Sequence, residues 1–151
     1  MSTCLFCSFV RGDAACHRVW EDEVHLAFLT PFPNTPGFTV VIPKAHYSSY
    51  AFELPEDVLL QLVLAAKVVA GKIDRAFPAV GRTAMVFEGF GIDHVHAKLI
   101  PLHGTRMAEW RPINSQVHTY HEIYEGFVST HDGPRADESL LFDIAAKISQ
   151  A

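Results

Sequence analysis

The sequence predicts an α+β fold: an antiparallel β-sheet with one long central helix and a C-terminal helix. Three observations carry this. Short β-compatible segments are bounded by Pro, Asn and Gly, and one long run from Leu54 to Phe77 suits a helix. Strands and helices do not alternate as a doubly wound parallel sheet requires. With 151 residues the chain fits a single domain with its own core, residues 1–104 forming the core and 105–151 a C-terminal extension.

Two strand segments, Val24 to Leu29 and Phe38 to Ile42, flank a Pro/Asn/Gly-rich turn from Pro31 to Gly37 and read as an antiparallel pair. Pro43 closes the second and leads into a loop with Lys44, His46, Tyr47, Ser48 and Ser49. In the long helix Pro55 suits the first turn, and Glu56 and Asp57 complement its positive end. Its apolar residues, Val58, Leu59, Leu60, Leu62, Val63 and Leu64 among them, cover more than one stripe, so the helix is expected to meet a second subunit as well as the sheet. A strand from Thr83 to Glu88, a turn with Gly89 and Gly91, and a strand DHVHAKLIPLH ended by Pro101 form a second antiparallel pair. From His103 to Pro134 the chain is polar, aromatic and turn-rich, with Trp110, Tyr120, Tyr124 and Phe127; Asp137 to Gln150 reads as a closing amphipathic helix.

The composition, 49% apolar and 19% charged with a formal net charge of −5, argues against a nucleic-acid polymer or an anionic membrane as the main partner. The start, MSTCLFCSFVRGD, lacks a basic segment followed by a long apolar run, and no eighteen apolar residues run unbroken, so neither signal peptide nor membrane span is expected. The expected location is the cytoplasm. Cys4 and Cys7, two of three cysteines, are spaced as a metal or redox pair rather than a disulfide framework.

In DHVHAKLI an extended backbone puts His94, His96 and Lys98 on one face and Val95, Ala97 and Leu99 on the other, so one face is greasy and the other carries chemistry. Zinc wants four ligands in a tetrahedron; His46 and His94 are the best partners for Cys4 and Cys7, and such a closed set would be structural. The competing reading is two small residues packed near a chain end. Cys16, followed by His17, reads as a buried thiol. His118 and His121 stand at i and i+3, but surface histidines near tyrosines are commoner than metal sites, so no second metal is expected.

The N-terminal CxxC, the V-I-P-K-x-H segment from Val41 to His46, and the strand with His94, His96, Ile100 and Pro101 together resemble the histidine triad (HIT) superfamily of nucleotide hydrolases and transferases. The likeness spans residues 4 to 101. It implies an antiparallel sheet with a long helix packed on it, usually as a homodimer. It also implies that His96 attacks the α-phosphorus of a nucleotide conjugate, such as a phosphoramidate or dinucleoside polyphosphate, through a nucleotidyl-histidine intermediate. In zinc-bearing branches the matching positions, Cys4, Cys7, His46 and His94, hold the metal. Independently, neutral imidazole is nucleophilic near pH 7, covalent catalysis splits a difficult transfer in two, and Gly89 and Gly91 would let backbone amides approach phosphate oxygens.

The sequence departs from the family's pattern in three places. Lys98 stands where the third histidine is expected; lysine, ordinarily titrating near 10.4, suits electrostatic stabilisation better than proton shuttling. A related nucleotidyltransferase branch also lacks that histidine and keeps the mechanism; His103 is a possible substitute. Thr30 stands where many members carry a ribose-binding aspartate, and Gly89-Phe90-Gly91-Ile92-Asp93 replaces a polar phosphate-contacting segment. Asp93 either orients a histidine or begins the strand; Asn34 and Phe32 are candidates for a base pocket; Arg106, Trp110 and Arg111 could close over a phosphate. Three function classes follow: a hydrolase or nucleotidyltransferase with His96 as nucleophile, a hydrolase with an open zinc site at His94, His96 and Asp93, and a nucleotide-binding protein that has lost catalysis.

Overall fold

The structure, a computed structural model, describes residues 4–150. The chain forms two compact units that meet in sequence between Glu109 and Trp110. The first contains helix α1 (Leu5–Arg11), strands β1 (His17–Glu21), β2 (His25–Leu29) and β3 (Thr39–Pro43), a 3-10 turn (Ala51–Glu53), helix α2 (Glu56–Ala76), and strands β4 (Val80–Val86) and β5 (Ala97–His103). The strands form one antiparallel sheet in the order β1-β2-β3-β5-β4, so the architecture is the expected α+β one.

Both faces of the sheet are covered, and period-2 alternation assigns each residue to one of them. On one face Ala27, Val41, Ala97 and Leu99 pack with Leu62, Ala65, Ala66, Val69 and Ile73 of α2. These helix positions follow the i, i+3, i+4, i+7 spacing of a single stripe. On the other face Leu26, Phe28, Val40 and Ile42 pack with Phe6 and Phe9 of α1. Each such side chain taken from water contributes about 1.5–3 kcal/mol.

Helix α1 was not expected from the sequence. Seven residues are too few for helical propensity to act alone, so tertiary packing sustains it. Phe6 and Phe9 meet Phe28 edge-on at 5.2 and 5.1 Å between centroids. Gly12, at φ 82°, ends the helix in the left-handed conformation, its amide directed at the carbonyls of Phe9 and Ser8. Strand β1 was also unexpected: its residues are mostly exposed and a bulge between Arg18 and Trp20 interrupts the alternation that would have marked it.

Pro101 does not end its strand, which runs on to His103. Pairing of β5 with β3 stops at Leu99, so a residue without an amide hydrogen at position 101 breaks no ladder on that side, while Pro101 still aligns with Thr83 of β4. His94 and His96 in turn lie just before β5 rather than within it.

In the second unit α3 (Glu138–Ser149) is capped by Asp137, whose side chain accepts the Ser139 amide at 3.0 Å, as the closing-helix reading anticipated. None of its residues is buried. Among the described residues no helix is long and apolar enough to cross a membrane.

Candidate active site and metal cluster

The end of β3 fixes the first histidine. His94 Nε2 lies 2.8 Å from the Pro43 carbonyl, and because a carbonyl can only accept, the ring carries its proton at Nε2 and a lone pair at Nδ1. That Nδ1 stands 3.5 Å from Cys4 Sγ and 3.6 Å from Cys7 Sγ, while His46 Nδ1 stands 3.5 Å from Cys7 Sγ. All four donor atoms lie within 4.8 Å of one another, an arrangement that could hold a metal ion. Helix α1 supplies the thiols: Cys4 caps it and Cys7 follows at i+3 on the same side. His46 comes from the exposed loop after β3, and its ring meets that of His94 edge-on at 5.1 Å.

His96 is held in the complementary tautomer. Its Nδ1–H donates to the His94 carbonyl at 2.7 Å, leaving the lone pair on Nε2. The ring is 4% exposed, with the edge of Phe6 at 5.4 Å. Burial pushes the imidazole below its ordinary pKa; the hydrogen bond to the His94 carbonyl opposes this, the positive charge of Lys98 adds to it, and Glu88 opposes it. His94 is likewise pushed down, chiefly by burial. Both rings are therefore biased toward the neutral form in which nitrogen is a ligand or a nucleophile.

Lys98 shares the face of His96 and pairs with Val86 across the β4–β5 ladder. Its ammonium forms an ion pair with Glu88, a nearly buried carboxylate two residues past Val86. Glu88 escaped the sequence reading, although an acid at the end of the strand facing a lysine on the same side of its neighbour is a recognisable cross-strand signal.

The other candidates separate. Gly89 has φ 80°, and a Cβ there would stand 2.9 Å from the Ser49 carbonyl oxygen, so this position needs glycine. Gly91 has neither a positive φ nor any atom within 4 Å of an added Cβ. Asp93 accepts the Ser49 amide at 2.8 Å, tying two loops together rather than orienting a histidine. Thr30 continues the alternation of Leu26 and Phe28 and thus falls on the face of His96 and Lys98; its Oγ1 accepts the Phe32 amide at 3.2 Å. Asn34 and Phe32 are exposed in the turn between β2 and β3.

His103 is engaged elsewhere: its Nε2 is bound to the Pro36 carbonyl at 2.8 Å and its ring packs on Phe77. Arg106 is spent on the carbonyls of Asp74 and Val80, at 2.8 and 2.6 Å. Trp110, Arg111, His118 and His121 belong to the second unit. There His118 and His121 lie outside any helix, His118 Nδ1 donating to the Asp132 carbonyl at 3.1 Å and His121 lying 3.4 Å from Glu125. Cys16 is half-buried beside the α1 face of the core.

The family model for the HIT domain matches residues 11–105. The chain belongs to the HIT family. The match takes in His46, His94, His96 and Lys98 and begins after the two cysteines of the cluster. Among HIT relatives, an adenosine 5′-monophosphoramidase of Schizosaccharomyces pombe is 33% identical over 103 residues, 66% of this chain and 74% of its own. An adenylylsulfatase of Arabidopsis thaliana is 28% identical over 102 residues, 65% of this chain and 51% of its own. The crystal structure of a HIT family protein from Bacillus anthracis aligns with a TM-score of 0.66 at 27% identity, covering 99% of this chain and 96% of that one.

Proposed function

We propose that this HIT protein is a nucleotide hydrolase or nucleotidyltransferase in which His96 Nε2 attacks the α-phosphorus of a nucleotide conjugate. The observation that carries the reading is the tautomer of His96: a buried imidazole whose proton is pinned to the His94 carbonyl leaves its lone pair on the outer nitrogen. The attack forms a nitrogen–phosphorus bond and expels the group beyond phosphorus; water or another acceptor then resolves the nucleotidyl-histidine. Lys98 offsets negative charge on the phosphoryl and departing oxygens. Backbone amides around Gly89 and the side chain of Thr30 are the proposed contacts for phosphate and ribose, with Gly91 and Asn34 as outer contributors. That one relative is named for a phosphoramidate and another for an adenylyl sulfate supports an adenosine-containing small molecule as substrate.

Zinc fits the cysteine–histidine cluster. A tetrahedron with Zn–S near 2.3 Å and Zn–N near 2.0–2.1 Å has a sulfur–nitrogen edge of about 3.5 Å. Three of the four cysteine–histidine separations are 3.5, 3.5 and 3.6 Å. Cys4, Cys7, His46 and His94 would fill all four positions, so the metal would supply folding energy and hold α1, leaving the reaction to His96. Leu60, Leu64 and Val68, each roughly half exposed, form an outward stripe on α2 that supports a homodimer. Cysteines that form no disulfide suit a reducing compartment, and the cytoplasm is the proposed location.

Intact-mass spectrometry tests the reading. Mixing the protein with an adenosine phosphoramidate and quenching without acid should add one adenylyl group to wild type and none to His96→Ala. Absence of any adduct and of any nucleotide release, with binding demonstrated, would leave a binding protein in place of an enzyme.

A further inference from the structure

Lys98 is anchored rather than loose. Its ammonium pairs with Glu88 Oε2, and Glu88 Oε1 accepts the Phe90 amide at 3.2 Å, so both carboxylate oxygens are committed. The Glu88 side chain is 9% exposed and that of Lys98 25%. Lysine is by nature a reluctant proton donor, and an ammonium held by one carboxylate oxygen retains two further N–H groups able to meet negative oxygen. The two kinds of leaving group make opposite demands on such a residue. When His96 Nε2 bonds to phosphorus and a P–O bond breaks, sulfate, phosphate or pyrophosphate departs with the electron pair on oxygen and needs no proton. When a P–N bond breaks, the amine must gain a proton as it leaves. Imidazolium is the stronger acid for that task by about four powers of ten.

Resting on the reading of His96 as nucleophile, we infer that the Glu88–Lys98 pair sets leaving-group specificity, favouring nucleotide conjugates whose leaving group departs as a stable oxyanion over those that release an amine. Lys98 is the group that meets the departing oxygen; Glu88 is a positioning residue that acts through it. In the second half of the reaction water bonds to phosphorus, the P–N bond to His96 breaks with its electron pair returning to Nε2, and one proton passes to solvent. The products are a nucleoside monophosphate and the free anion.

The test compares single-turnover rates of wild type, Lys98→His, Glu88→Gln and Glu88→Asp on adenosine 5′-phosphosulfate and adenosine 5′-phosphoramidate. General-acid catalysis contributes about 10²–10⁴-fold, so Lys98→His should raise the amine rate relative to the sulfate rate by about 100-fold or more. Glu88→Gln, by releasing the ammonium from its partner, should lower the sulfate rate relative to the phosphoramidate rate, and Glu88→Asp should restore the ratio. A relative rate unchanged by Lys98→His overturns the inference. Should that variant fail to fold, wild type alone decides with a series of adenosine aryl phosphates: a steep dependence of rate on leaving-group acidity supports the absence of a proton donor, and a flat one refutes it. Labelling of His96 by both probes with an unchanged ratio refutes leaving-group selection only. Binding of both probes with no label on His96 refutes the nucleophile itself.

Discussion

Gly89→Ala offers a sharp test of how the loop before His94 is held, because Gly91 two residues away supplies its control. At φ 80° a residue with a Cβ costs about 1–2 kcal/mol more than glycine. The added carbon would also stand 2.9 Å from the Ser49 carbonyl oxygen, a backbone atom. Ser49 cannot easily yield, since its amide is bonded to Asp93 at 2.8 Å. Together the strain and the clash amount to about 2–4 kcal/mol, lessened by up to about 1 kcal/mol from the stiffer unfolded chain. At a urea dependence of about 1–3 kcal/mol per molar, the midpoint should fall by about 1–2 M. Gly91→Ala, with open space around its Cβ, should stay within about 0.5 kcal/mol of wild type. Urea titrations followed by tryptophan fluorescence read both. Equal costs for the two variants, or a Gly89→Ala cost below about 0.5 kcal/mol, would refute the argument that the loop is locked at Gly89.

Cys7→Ser should abolish stoichiometric zinc, expected at about one ion per chain, and lower the melting temperature, while the protein that remains folded still forms the His96 adduct, at a reduced rate; elemental analysis, calorimetry and adduct kinetics check this, and complete loss of the adduct in folded protein would favour a catalytic metal. Because His94 and His96 are pushed below the ordinary histidine pKa, the unfolded chain binds protons that the folded chain refuses as pH drops through about 6.5. Stability should therefore be full above that pH and fall on acidification, by up to about 1.4 kcal/mol per pH unit for each histidine. Urea midpoints at several pH values measure it, and a slope of the opposite sign would contradict the burial account. Leu64→Glu, on the exposed stripe of α2, should convert a dimer to a monomer in light scattering without unfolding the chain.

The sequence exposed those parts of the site that depend on local geometry. Alternation in HVHAKL separates His94, His96 and Lys98 from Val95, Ala97 and Leu99 even though His94 and His96 precede the ladder, because an extended backbone alternates with or without a paired neighbour. The i, i+3 spacing of Cys4 and Cys7 likewise survives as two thiols on one side of α1. What escaped depends on partners distant in sequence. Helix α1 exists because Phe6 and Phe9 find Phe28, the tolerance of Pro101 depends on β3 stopping opposite Leu99, and Glu88 matters through a lysine ten residues on. No window of neighbouring residues contains those facts.

The same contacts join the candidate metal cluster to the proposed nucleophile more closely than their separate roles suggest. His94 uses all its polar groups at once: Nδ1 faces the thiols, Nε2–H holds the Pro43 carbonyl, and its own carbonyl takes the Nδ1 proton of His96. Phe6, between the two cysteines in sequence, sets its ring against both imidazoles, at 5.8 Å from His94 and 5.4 Å from His96. A metal that fixed the His94 ring and α1 would therefore also fix the peptide and the aromatic wall that aim His96 Nε2. A closed, structural site can act on catalysis in this way without touching the substrate, through the precision with which one lone pair is pointed; misplacement by about 1 Å can cost about 100-fold in rate.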